Sequence, residues 1–63
     1  MKVGEVIKRL EEDGWVPVRL RGDHRNFKKE GNPFIVTVPG QVRDEVSPGV
    51  LSDIRRKTGL SLR

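Results

Sequence analysis

Val3, Val6, Ile7 and Leu10 recur at the i, i+3, i+4, i+7 spacing of an amphipathic helix. The spacing predicts a helix over roughly residues 2 to 13, with Gly14 taking the left-handed conformation that stops it. Glu11, Glu12 and Asp13 oppose the dipole at that end, which reads as a solvated acidic patch. Val16, Val18 and Leu20 then alternate with Pro17, Arg19 and Arg21, the period of a half-buried strand. Pro17 cannot donate to a ladder, so this strand belongs at a sheet edge. Gly22-Asp23 is a two-residue hairpin signal, and His24 opens a second strand running to about Lys29. Phe27 is the one large apolar residue of that strand and is expected to face the core, with Arg25 on the same side near the rim. Parity puts His24, Asn26 and Lys28 on the opposite face, with Arg19 and Arg21 of the first strand also outward.

Glu30-Gly31-Asn32-Pro33 reads as a second turn, and Phe34-Ile35-Val36-Thr37-Val38 as the strongest strand of the chain. Phe34, Val36 and Val38 are expected inward, Thr37 outward, and Ile35 partly exposed. Residues 40 to 46 read as a polar loop. Ser47-Pro48 has the form of an N-cap followed by proline at the first helical position. Val50, Leu51 and Ile54 supply the apolar stripe of a second helix that closes at Lys57-Thr58 before Gly59, with Arg55, Arg56 and Lys57 complementing its dipole. Leu60 and Leu62 either pack back or dock a partner.

The element order is therefore α-β-β-β-α, an α+β fold with two helices on one face of a three-stranded antiparallel sheet. Its expected core is Val3, Val6, Ile7, Leu10, Val18, Phe27, Val36, Val50, Leu51 and Ile54, and its other sheet face stays open. Trp15 and Phe34, like Phe27, read as core residues rather than stacking platforms. Double-stranded-RNA-binding domains use this element order and read duplex RNA by shape and phosphate contacts. That analogy concerns the fold and does not by itself assign a function.

Composition narrows the chemistry. Sixty-three residues make one domain, 1–63, with its site on the surface of a single small core. Thirteen Lys+Arg against nine Asp+Glu give a net charge of +4, which favours a polyanionic partner over a merely soluble basic surface. The absence of cysteine excludes disulfides, thiolate metal sites and cysteine nucleophiles, and fits a reducing cytoplasm. No apolar run approaches a membrane span, so no membrane role is expected.

His24 is the single histidine and the only side chain whose ordinary titration lies near neutrality. Arg19, Arg21, Arg25, Lys28 and Lys29 crowd the same stretch, with Asp23 the only acid among them. A lone base in a cationic ribbon suggests work on a phosphodiester. The alternatives are an ordinary surface histidine and a charged strand face that merely blocks edge pairing. One histidine and scattered carboxylates make a dedicated metal site unsupported, and neither a metal nor another cofactor is expected.

The run Gly22-Asp23-His24-Arg25-Asn26-Phe27 matches a Gly-x-His-x-x-aromatic motif. Before it stand Leu10 and Gly14-Trp15. After it come Val36-Thr37-Val38-Pro39, then Ser47-Pro48-Gly49-Val50-Leu51 and Ile54-Arg55-Arg56-Lys57-Thr58-Gly59-Leu60. In this order the pieces resemble the HicA family, the messenger-RNA-cleaving toxins of bacterial toxin–antitoxin pairs, over nearly the whole chain. The resemblance implies a metal-independent endoribonuclease with His24 as its catalytic acid/base, a messenger RNA substrate, and a HicB-type antitoxin that masks the histidine face. Arg19, Arg21, Arg25 and Lys28 are the candidates for RNA contact. Two positions depart from the family pattern. Asp23 stands where many members have serine or threonine, and Gly40-Gln41-Val42-Arg43 occupies the region where many carry a second histidine. Asp23, Asp44 and Glu45 are the remaining candidates for a second proton carrier. Two other readings stay open: a non-catalytic RNA-binding module of the same topology, and a protein-interaction domain using the open sheet face and the Leu60-Leu62 tail.

Overall fold

A computed structural model describes residues 1–62. Helix α1 spans Val3–Glu12, strands β1, β2 and β3 span Val16–Arg21, His24–Lys28 and Val36–Val38, and helix α2 spans Pro48–Thr58. The α-β-β-β-α order matches the sequence expectation, and the antiparallel sheet runs β1-β2-β3.

Both ends of α1 are tied off by their neighbours in sequence or space. At its start the Lys2 N–H donates to Glu5 Oε1 at 2.8 Å, and the N–H groups of Val3 and Gly4 reach the carbonyls of Asp44 and Val42. These are donors that a helix leaves without internal partners. A β-carbon on Gly4 would meet the Val42 oxygen at 3.3 Å, so glycine permits this close approach. The segment expected as a polar loop thus docks onto α1, and it buries Val46 in doing so. At its end Gly14 has φ +94°, its N–H bonds the Glu11 carbonyl, and the Trp15 N–H bonds the Leu10 carbonyl. That paired pattern brings Trp15 back onto Leu10, and both are buried. The Trp15 indole donates to Asp13 Oδ2 at 3.2 Å, and the same oxygen takes the Lys29 ammonium at 3.1 Å. Asp13 is therefore a half-buried acceptor that satisfies a core tryptophan, rather than part of a solvated patch.

Helix α2 begins as its sequence predicts, with Ser47 Oγ accepting from the Val50 N–H, and ends at Gly59 with φ +74°. The chain then turns back. Leu62 is fully buried, and its carbonyl accepts from Arg55 Nη1 at 2.8 Å. Between the two options for the tail, Leu62 takes the first and completes this chain's own core.

Both helices pack on β3. The core comprises Val3, Val6, Leu10, Trp15, Phe27, Val36, Val38, Val46, Leu51, Ile54 and Leu62, with Ile7 and Val50 half-buried at its margin.

Two expected core residues lie outside it. Val18 is 54% exposed. The β1–β2 register shifts between Pro17 and Arg19, leaving Val18 unpaired at a bulge. The bulge breaks the assumed alternation, and the helix layer stops short of β1, so Val16 and Leu20 are exposed as well. Phe34 is 42% exposed. Asn32 Oδ1 accepts from the Phe34 N–H while Asn32 Nδ2 donates to the Lys57 carbonyl. This bend delays β3 to Val36 and sets Phe34 against the end of α2, where the Arg56 guanidinium lies 5.9 Å from its ring.

Candidate active site

The register of the sheet fixes which side chains share its open face. Arg21 pairs with His24, Arg19 with Asn26, and Asn26 in turn with Thr37. Val16 pairs with Lys28 at the far end. Paired residues lie on one side of a sheet, so Arg19, Arg21, His24, Asn26, Lys28 and Thr37 form one surface. The turn that creates it holds Gly22 at φ +58° with no positive φ at Asp23, the pattern of a type II′ hairpin. A two-residue turn aligns Arg21 directly with His24 and leaves no freedom of register between them.

His24 is exposed, and its Nδ1 lies 3.1 Å from Asp23 Oδ1. The surface around it is basic: Arg19, Arg21 and Lys28 are all exposed, and none of them makes an ion pair among the described residues. Arg25 stands apart. It pairs with Val38 on the helix-covered side, and its Nη1 donates to the Gly40 carbonyl at 2.9 Å. Because the Gly40 N–H donates to the Asp23 carbonyl at 3.1 Å, Arg25 and the hairpin hold the segment after β3 at two points. The geometry therefore brings together four of the five candidate site residues, His24, Arg19, Arg21 and Lys28, and gives the fifth, Arg25, a scaffolding contact.

Asp44 and Glu45 are occupied elsewhere. Asp44 Oδ2 accepts from the Gln41 N–H. Glu45 pairs with the Met1 ammonium and Lys2, whose hydrogen bonds hold its carboxyl below the usual range. Among the described residues no group of three or more His, Cys, Asp or Glu side chains is placed to hold a metal ion.

One feature of this face was not legible from strand parity. Thr37 Oγ1 donates to Asn26 Oδ1 at 2.6 Å. Both residues read as outward, but their pairing depends on the β2–β3 register, which the long connection through residues 29 to 35 does not specify. Beside them Val18, Arg19, Arg21, Asn26 and Ile35 line a shallow depression of ≈ 390 Å³.

A family model described as the HicA toxin of bacterial toxin–antitoxin systems matches residues 3–60. Among solved structures, a HicA3 and HicB3 toxin–antitoxin complex contains a chain 34% identical to this one, with a TM-score of 0.81 and full coverage of both chains. No curated protein matches the sequence. The chain belongs to the HicA toxin family of bacterial toxin–antitoxin systems.

Proposed function

We propose that this chain is a metal-independent endoribonuclease that cleaves messenger RNA in the cytoplasm and so arrests translation, with His24 as its proton carrier. The observation that carries the proposal is the pairing of an exposed His24 with Arg21 on an open, basic sheet face. Cleavage of this type removes a proton from the ribose 2′-hydroxyl. The freed oxygen attacks phosphorus, the bond from phosphorus to the 5′-oxygen breaks, and that oxygen takes a proton. His24 acts as the base, Arg19 and Arg21 stabilise the charge that builds on the phosphoryl oxygens, and water returns the second proton. A single imidazole with cationic support fits a slow enzyme.

The family reading brings a partner with it. The solved relative was captured with HicB3, and a HicB-type antitoxin that covers the histidine face would shut this site. Val16, which pairs with Lys28 on the open face, and Val18, which lies beside Arg19 and Arg21, are 58% and 54% exposed and give such a partner apolar surface next to the basic one.

The test is incubation of purified protein with messenger RNA, with and without chelator, beside His24→Ala. Cleavage is expected to survive chelation and to be lost in the variant, and growth arrest on expression is expected to be lost with it. Full activity of His24→Ala would remove His24 from the chemistry. Salt-sensitive RNA binding with no cleavage at any pH would instead support the non-catalytic RNA-binding module.

A further inference from the structure

We infer that the depression between β1 and the start of β3 is a nucleobase subsite that selects bases carrying a ring keto group, guanine or uracil, over their amino counterparts. The inference rests on the ribonuclease reading for its substrate and on separate geometry for its selectivity. The walls are Val18 and Ile35, both about half exposed, which offer aliphatic surface to a planar ring. Arg19 and Arg21 rim the same depression and are placed to hold the nucleotide's phosphate. Asn26 forms part of the floor and is only half-buried, so a ligand can reach it. It lies two residues from His24 on the same face of β2, roughly 6.6 Å along the strand. A base seated on Asn26 therefore sits beside the phosphodiester that His24 addresses.

The selectivity comes from Thr37. An asparagine amide free to turn offers an acceptor as readily as a donor and can take the donor–acceptor edge of adenine in a bidentate pair. Here the Asn26 oxygen accepts the Thr37 hydroxyl at 2.6 Å. The amide nitrogen is thereby turned away from Thr37, and among the described residues it donates to no protein acceptor. With one lone pair of its oxygen taken by Thr37, Asn26 leads with its amide N–H donors, and the Arg19 and Arg21 guanidiniums beside it are donors as well. Guanine O6 and N7 and uracil O4 are acceptors, whereas the amino groups of adenine and cytosine would meet donor with donor. Single-stranded RNA exposes these edges and is the form such a site can read.

The experiment compares RNA oligonucleotides differing at single positions, with cleavage sites mapped at the new 5′-hydroxyl ends. In parallel, binding of oligo(U) and oligo(C) to the His24→Ala protein is measured. Uracil against cytosine and guanine against adenine isolate the exchange of keto for amino. Cleavage is expected to favour G or U at one position beside the scissile bond by about tenfold, the order of a good base contact. The His24→Ala protein is expected to hold oligo(U) more tightly than oligo(C). Asn26→Asp, which replaces donors with acceptors, is expected to move the preference towards A and C. Thr37→Val, which frees the amide to turn, is expected to flatten it, and thermal melts confirm that each variant folds. Cleavage indifferent to base at every flanking position would overturn the subsite and leave the ribonuclease reading standing. So would a preference unchanged in a folded Asn26→Asp or Thr37→Val. Tighter binding of oligo(U) without cleavage of any RNA would overturn the ribonuclease reading and leave the subsite. Equal binding of the two oligonucleotides would count against the subsite whether or not RNA is cleaved.

Discussion

The Asp23 carboxylate lies 3.1 Å from Nδ1 of His24, at the point where the hairpin turn becomes strand β2. A proton held on Nδ1 by that carboxylate leaves the lone pair on Nε2, the nitrogen free to act as the base of the proposed reaction. In the proposed reaction Asp23 would be a positioning residue acting through His24. Asp23→Asn is expected to lower kcat by less than the ~10²–10⁴-fold that loss of a proton carrier costs. RNA retention is expected to hold or improve, because a negative charge leaves a basic face. Steady-state cleavage of a short RNA separates the two effects, and an unchanged kcat would deny Asp23 this role.

The arginines divide by face, and their variants are expected to divide the same way. Arg25→Ala removes a charged hydrogen bond to the Gly40 carbonyl and is expected to lower stability by about 1.5 kcal/mol. Arg19→Ala and Arg21→Ala lie on the open face and are expected to change stability by no more than about 0.5 kcal/mol. Each is expected to weaken RNA binding and to reduce the slope of log affinity against log salt by about 0.7, the value for one single-strand phosphate contact. Denaturant melts and salt titrations of the three variants read both quantities. Arg25→Ala weakening RNA binding at full stability would reverse the assignment.

What was legible in the sequence follows from how local each determinant is. The hairpin register is fixed by Gly22 and Asp23, so the shared face of His24, Arg19 and Arg21 could be read from parity. Both helix ends were legible because Gly14 and Ser47 act within a turn of themselves. Val18 was misplaced because alternation carries no mark of the bulge that follows Pro17. Phe34 was misplaced because its position depends on Asn32 reaching the Lys57 carbonyl, 25 residues away. Val46 was missed because a short apolar residue in a polar run gives no periodic signal, and its burial comes from docking against the start of α1.

The tail after α2 bears directly on stability. Leu62 has no exposed surface and is one of the larger side chains enclosed by the core. Leu62→Ala is expected to cost about 2–4 kcal/mol, the range for a buried leucine whose cavity does not collapse. That is a large share of the roughly 5–15 kcal/mol that holds a typical domain, and a chain this short sits towards the lower end. A chemical melt of the variant is expected to show a lower midpoint with the same slope. A shift of only a few tenths of a kcal/mol would mean that the tail contributes little to the core in solution.

Part of the acid sensitivity is expected to be traceable to α2, beside the share from Glu45. Asp53 accepts from Arg56 Nη2 at 2.7 Å, and its other oxygen lies 3.1 Å from Lys57 Nζ. The Arg56 bond first, and the Lys57 bond second, hold its carboxyl below the ordinary value of 3.8. The unfolded chain therefore takes up this proton at higher pH than the folded one, and folding gains stability as pH rises through the interval. The contribution is complete above the unfolded value and disappears as pH falls through the depressed one. Asp53→Asn removes it at every pH. The variant's Tm is expected to lie below the parent's at neutral pH by a constant margin, which begins to close as pH drops past 3.8 and vanishes at the acid limit. Arg56 is exposed and Lys57 half-buried, so added salt is expected to narrow the margin at neutral pH chiefly through the Arg56 pair. A margin that stays the same down to the acid limit would show that asparagine acts through helix propensity or packing and that the ion pairs contribute nothing.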